Sequence, residues 1–142
     1  LSPLPTSQST PDRIKYPIHN IDVADAIKWV IENISEYGGN QEKIALLGHS
    51  AGAHLVSLTG TNKTFIEQTG YSLSTIKGVA TIDTEGYNVR EKILEGSQIY
   101  INAFGTDEQE NFDASPFFNV ENNVDNPKSR RNDNNLAFNR IF

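Results

Sequence analysis

From Ile21 to Tyr37 the apolar residues Val23, Ile27, Val30 and Ile34 recur at i, i+4, i+7 and i+11, the spacing of one face of an α-helix. Asn20 or Asp22 is placed to cap its start. Gly38-Gly39 supplies the left-handed stop that a residue without Cβ adopts without steric penalty. After the polar turn Asn40-Gln41-Glu42-Lys43, the run Ile44-Ala45-Leu46-Leu47 has the length and flanks of a fully buried strand. Ala53 to Leu58 predicts a second helix ending at Gly60, and Gly78-Val79-Ala80-Thr81-Ile82 predicts a second strand closing at Asp83. Alternating helix and strand of this kind predict an α/β fold, a mostly parallel sheet with helices on both faces.

Beyond Asp83 the periodicity weakens. Val89 to Leu94 and Ile99 to Phe104 read as short helices, and Asp113-Ala114-Ser115-Pro116 as a turn. At the other end, Pro3, Pro5, Pro11 and Pro17 are spaced too closely for a helix. The organisation expected is an extended connection over 1–18, a core segment over 19–120 and an irregular Asn-rich segment over 121–142. In the last of these, Leu136, Phe138, Ile141 and Phe142 make a brief apolar return.

Charge narrows the function classes. With 12 Lys+Arg against 18 Asp+Glu the chain carries a formal charge of -6, which repels phosphate backbones and anionic lipid. Only Lys128, Arg130 and Arg131 cluster, so no nucleic-acid partner is expected. No apolar run reaches the roughly 18 to 20 residues needed to cross a bilayer, and the first residues lack the apolar centre of a signal peptide. No membrane association is expected, and the compartment is left open with a lean toward the cytoplasm. Cysteine is absent, which excludes disulfides, thiolate metal sites and cysteine nucleophiles together. Methionine is absent too and the chain starts at Leu1, so a processed or partial chain is expected.

The chemistry lies at Gly48-His49-Ser50-Ala51-Gly52, a G-x-S-x-G pentapeptide between the predicted buried strand and the helix after it. That context is the nucleophile elbow, a sharp turn that lifts a serine hydroxyl above the sheet edge. The serine takes a strained backbone there, and Gly48 and Gly52 are expected to be small so that strand and helix can pass closely. The helix aims its N-terminal dipole at the site, and the backbone amide of Ala51 can donate to an oxyanion.

These residues, with Tyr16-Pro17-Ile18-His19-Asn20-Ile21-Asp22, Ala26 to Val30, Tyr37-Gly38-Gly39 and Ile44 through Leu55, resemble the α/β-hydrolase carboxylesterases of the hormone-sensitive-lipase-like and arylformamidase-like type. Ile76-Lys77-Gly78-Val79, Asp83, Gly86-Tyr87, Phe104-Gly105 and Ala114-Ser115-Pro116 extend the likeness over most of residues 1 to 120. The resemblance implies a serine that attacks a carboxylic ester, forms an acyl-enzyme and releases the acid to water, with no cofactor or metal. Ser50 matches the nucleophile and Ala51 an oxyanion donor. The family's further donors come from a His-Gly-Gly motif that does not occur between Leu1 and Ser50, and they are expected before Leu1.

The triad on this fold runs Ser, acid, His along the chain, yet the three histidines here are His19, His49 and His54. None follows the elbow at the distance expected of the base. His19 reads as a capping or surface residue, His49 as a packing or positioning residue of the elbow, and His54 as turned into the layer beneath it. Asp133 is the weak candidate for the acid, in a stretch that departs from the family's strand. Asp83, at the carboxyl edge of the sheet, reads as site-lining. Trp29 reads as packing, and Asp107, Glu108, Glu110 and Asp113 as a solvated face rather than a calcium loop. The leading expectation is a serine hydrolase of small-molecule carboxylic esters, inactive as this piece alone. A non-catalytic binding module and an arylformamidase-like amidase are the alternatives, with self-association through an exposed sheet edge as a further expectation.

Overall fold

Helix α1 covers Ile18–Asn33 and tightens into a 3₁₀ turn, Ile34–Tyr37, that ends at Gly38 with φ 79°. It begins earlier than the spacing predicts, with Pro17 at the N-cap, and neither Asn20 nor Asp22 caps it. Asn20 is instead buried inside the first turns, where its Nδ2 donates to the Leu55 carbonyl at 3.2 Å and to Thr59 Oγ1 at 3.1 Å. The buried line of α1 runs Asn20, Ala24, Ile27 and Ile31, while Val23, Val30 and Ile34 pack at its margin. A periodic stripe fixes the direction of an apolar face better than its midline. Trp29 packs outside the core: it is 52% exposed, its ring 6.2 Å from that of Tyr37.

The computed structural model describes residues 14–122. Within them, strand β1 (Ile44–His49) and strand β2 (Ile76–Ile82) form a parallel pair, with Leu46 opposite Val79 and His49 opposite Ile82. Helix α2 (Ala51–Thr61) returns across this pair and buries Ala53, Ser57 and Leu58. It does not stop at Gly60. The helix runs on to Thr61, and Gly60 lies over β2, where a Cβ would come within 2.6 Å of Val79 Cγ2. The result is the expected α/β arrangement, a parallel sheet with helices around it. β1 is not fully buried, however. Ile44 and Gly48 are covered, whereas Ala45 and Leu47 on the alternate face are exposed, Leu47 by 69%. A two-residue side-chain period divides the strand in this way whenever one face is covered and the other is not.

Ala24, Ile27, Ile31, Ile44, Leu58, Phe65, Ile66 and Ile76 form the main core, to which the short helix α3 (Lys63–Glu67) contributes Phe65 and Ile66. No periodic stretch announces α3; Asn62 starts it by accepting a hydrogen bond from the Thr64 amide. Helices α4 (Val89–Leu94), α5 (Gln98–Phe104), α6 (Glu108–Asp113) and α7 (Pro116–Asn122) come after β2. Val89, Phe104 and Ala114 make a second, smaller core, and Tyr16 packs against both. Its ring meets Phe65 edge-on at 6.2 Å and Phe104 at 6.3 Å. Asp107 caps α6 through the Glu110 amide and Glu108 pairs with Arg90 at 2.7 Å, so this acidic group serves helix ends and surface pairs. Residues 1–13 and 123–142 lie outside the described residues, and with them Asp133, the Lys128, Arg130 and Arg131 cluster and the apolar return from Leu136. No helix among the described residues is long and apolar enough to cross a membrane.

Candidate active site

Between β1 and α2 the backbone reverses through Ser50, whose φ of 54° and ψ of -121° lie in a region that L-residues rarely occupy. Two hydrogen-bond sets hold it there. The Ser50 amide donates to the Ile82 carbonyl at 2.9 Å, extending the β1–β2 ladder one residue past His49. The Ser50 carbonyl accepts from Ala53 N at 3.0 Å and His54 N at 3.3 Å, opening helix α2. Ser50 is exposed at the carboxyl edge of the sheet, and Ala51 after it is the first helical residue. At that position a backbone N–H has no acceptor within its own helix and points along the positive end of the helix dipole.

The two flanking glycines play different parts. A Cβ on Gly48 would collide with the Gly52 carbonyl oxygen and come within 2.7 Å of Ala53 N. A Cβ on Gly52 would meet nothing within 4 Å. The close passage is therefore between the missing side chain of Gly48 and the backbone of Gly52, and the expectation that both must be small holds for Gly48 alone.

Each histidine has a definite place. His54 is buried beneath the elbow, and its Nε2 lies 2.8 Å from the Ala114 carbonyl. A carbonyl only accepts, so Nε2 carries the proton. The ring also stands edge-on to Phe104 at 5.0 Å. Burial pushes its pKa down to about 4; the bond to Ala114 opposes the shift and His19 adds to it. His54 is thus a neutral donor already committed to another partner. His49 is not packed: its side chain is 68% exposed, with Nε2 3.7 Å from Asp83 Oδ2. Consecutive strand residues face opposite ways, so His49 emerges on the open side of the sheet with Leu47. His19 is half-buried on α1 and does not cap it. Asp83 directly follows β2, with φ 54° and an 85% exposed side chain.

Sequence reasoning did not single out the Ile82 carbonyl, the Ala114 carbonyl or Ser115. Backbone acceptors leave no mark on residue type, and the one available signal was the position of Ile82 at the end of a predicted strand. Ser115, fully buried, accepts from Val89 N at 2.9 Å and donates to the Asn111 carbonyl at 2.7 Å, tying α4 to α6. Two surface cavities of about 540 and 390 Å³ both lie away from the elbow, one beside Gln41 and Lys77, the other beside Tyr16 and Phe65. Ser50 is therefore presented on a surface, and these cavities do not set the size of an acyl group.

A family model described as BD-FAE matches residues 8–116. Esterase LipQ of Mycobacterium tuberculosis is 52% identical over 46 residues, 32% of this chain and 11% of that protein. Esterase LipC of the same organism is 44% identical over 46 residues, again 32% of this chain and 11% of that protein. Esterase B1 of Culex pipiens is 51% identical over 37 residues, 22% of this chain and 7% of that protein. The matched stretches thus span about a tenth of these relatives or less. No solved structure matches.

Proposed function

The chain belongs to the BD-FAE family, and on that premise we propose that it carries the nucleophile of a serine hydrolase of carboxylic esters, Ser50. One observation carries the reading: an exposed serine with φ 54° and ψ -121°, at the junction of a parallel strand and a helix N-terminus. The names of the relatives, esterases all three, support it. In the reaction Ser50 Oγ adds to the ester carbonyl carbon as its proton passes to a base. The oxygen that becomes negative is met by the Ala51 amide, and collapse expels the alcohol, which takes the proton. Water then adds to the acyl-enzyme, freeing the acid and restoring Ser50. The substrate class is a small-molecule ester, and no step calls for a cofactor.

The base is the weak link. His54 donates to Ala114 and is kept neutral by burial, His49 faces Asp83 on the open side, and His19 lies on α1. Removing a triad base lowers turnover by roughly a millionfold, and each lost oxyanion donor costs about 3 kcal/mol of transition-state stabilisation. The 142-residue chain by itself is accordingly expected to turn over little or no ester. The same observation favours a second reading, a non-catalytic module that keeps the elbow as scaffold. A fluorophosphonate probe separates the two. Covalent labelling of the folded chain that disappears in Ser50→Ala supports the poised nucleophile; a folded chain that never labels supports the inert module. Serine-dependent turnover of a short-chain p-nitrophenyl ester would overturn the expectation of inactivity.

A further inference from the structure

Ser50 and Asp83 are the two non-glycine residues with positive φ among the described residues, each at 54°. They sit side by side just past the sheet. His49 and Ile82 are register partners at the ends of β1 and β2, and each positive-φ residue comes directly after one of them. The Ile82–Asp83 peptide carries the carbonyl to which the Ser50 amide donates at 2.9 Å.

The chain beyond Asp83 is anchored. Gly86 lies against the His54 ring, where a Cβ would come within 3.2 Å of His54 Cβ. Tyr87 Oη is 2.7 Å from Thr81 Oγ1, and the Tyr87 carbonyl accepts from Phe117 N at 3.0 Å. With the chain held from Gly86 onward, only Thr84 and Glu85 are left to absorb a change of φ at Asp83. What they do not absorb rotates the Ile82–Asp83 peptide and turns its carbonyl away from Ser50.

We infer that Asp83 is a positioning residue for Ser50: its left-handed backbone aims the Ile82 carbonyl at the Ser50 amide and thereby holds the elbow in its strained form. The functional meaning of this brace rests on reading Ser50 as the nucleophile. The role belongs to the backbone rather than the charge. The Asp83 carboxylate and His49 are both solvated at 3.7 Å, a geometry that contributes little. Asp and Asn enter the left-handed region more readily than other side chains, Gly does so freely, and β-branched residues meet the largest steric penalty.

The test uses the full 142-residue chain, ¹⁵N-labelled, as wild type and as Asp83→Asn, Asp83→Gly, Asp83→Ala and Asp83→Val. Amide hydrogen exchange at Ser50 is read beside that at Leu58 in α2, which reports global opening. Ser50 exchange is expected to stay within about threefold of wild type in the Asn and Gly variants. It is expected to rise at least tenfold in Val, and by a smaller factor in Ala, with Leu58 unchanged in Ala. Ser50 labelling by the fluorophosphonate should slow in the same order and be rescued in Gly. Should Val unfold, the comparison of Ala with Gly decides. Equal Ser50 exchange in Gly and Ala, or a loss in Asn and Gly as large as in Val, would overturn the brace. If the wild type fails to label while Ser50 exchange keeps the expected order, the nucleophile reading falls and the brace stands.

Discussion

A methyl group on Gly48 has nowhere to go, since its neighbours are the carbonyl of Gly52 and the amide nitrogen of Ala53, both helix backbone. Gly48→Ala is therefore expected to destabilise the chain by about 2 kcal/mol or more, the range of overpacking that only a backbone shift can relieve. Gly52→Ala faces open space and replaces a helical glycine, so it is expected to leave stability unchanged or raise it by up to about 1 kcal/mol. Urea midpoints of the two variants check both statements, and a Gly48→Ala chain as stable as wild type would remove the tight passage. At this scale residue type told part of the story. The sharp backbone turn at Ser50 was legible because a G-x-S-x-G between strand and helix has a fixed spacing, but the asymmetry of the two glycines was not, because either residue satisfies the same pattern. That Trp29 packs on Tyr37 outside the core was not legible either: aromatic character says that a ring buries well, not which side of the helix it lies on.

Helix α2 joins the elbow to the layer below through His54. Its pKa in the folded chain is about 4 against 6.5 for a free imidazole, so between these values the unfolded chain binds more protons than the folded one. The stabilisation is fully present above pH 6.5 and is lost as pH falls toward 4, by an amount on the order of 3 kcal/mol. Urea unfolding between pH 7 and pH 4 should show this slope, and His54→Gln should flatten it while lowering stability at pH 7. A wild-type curve level across that window would show that His54 does not titrate as described. The existence of α1, β1, α2, β2, α4 and α5 could be read from hydrophobic spacing. Their ends could not, since α1 starts after Pro17 with no side-chain cap and α2 runs past Gly60 to Thr61. Helix α3 was missed because five residues are too few to display a period.

Across the whole molecule the two strands bury one face under α2 and leave Ala45, Leu47, Ala80 and Ile82 exposed on the other. Leu47 is 69% and Ile82 50% exposed, an apolar surface beside strands that, among the described residues, pair only with each other. Such a surface favours association. The double substitution Leu47→Thr with Ile82→Thr is expected to reduce concentration-dependent light scattering while changing stability by only about 0.5 kcal/mol per site. Scattering unchanged by it would show that this face does not drive association. Like net charges of -6 repel one another, so any association is expected to strengthen as salt is added.

Local spacing by itself determined the α/β class and the place of the sharp strand-to-helix turn at Ser50, because helix period, strand length and the G-x-S-x-G spacing all express interactions between residues close in the chain. Only the tertiary structure decided that Gly48 is the tight glycine, that His54 is spent on Ala114, and that Asp83 lies beside Ser50 with the same left-handed φ. Those facts depend on groups far apart in the chain, or on backbone atoms that every residue possesses, and neither kind of partner is written in a one-dimensional pattern.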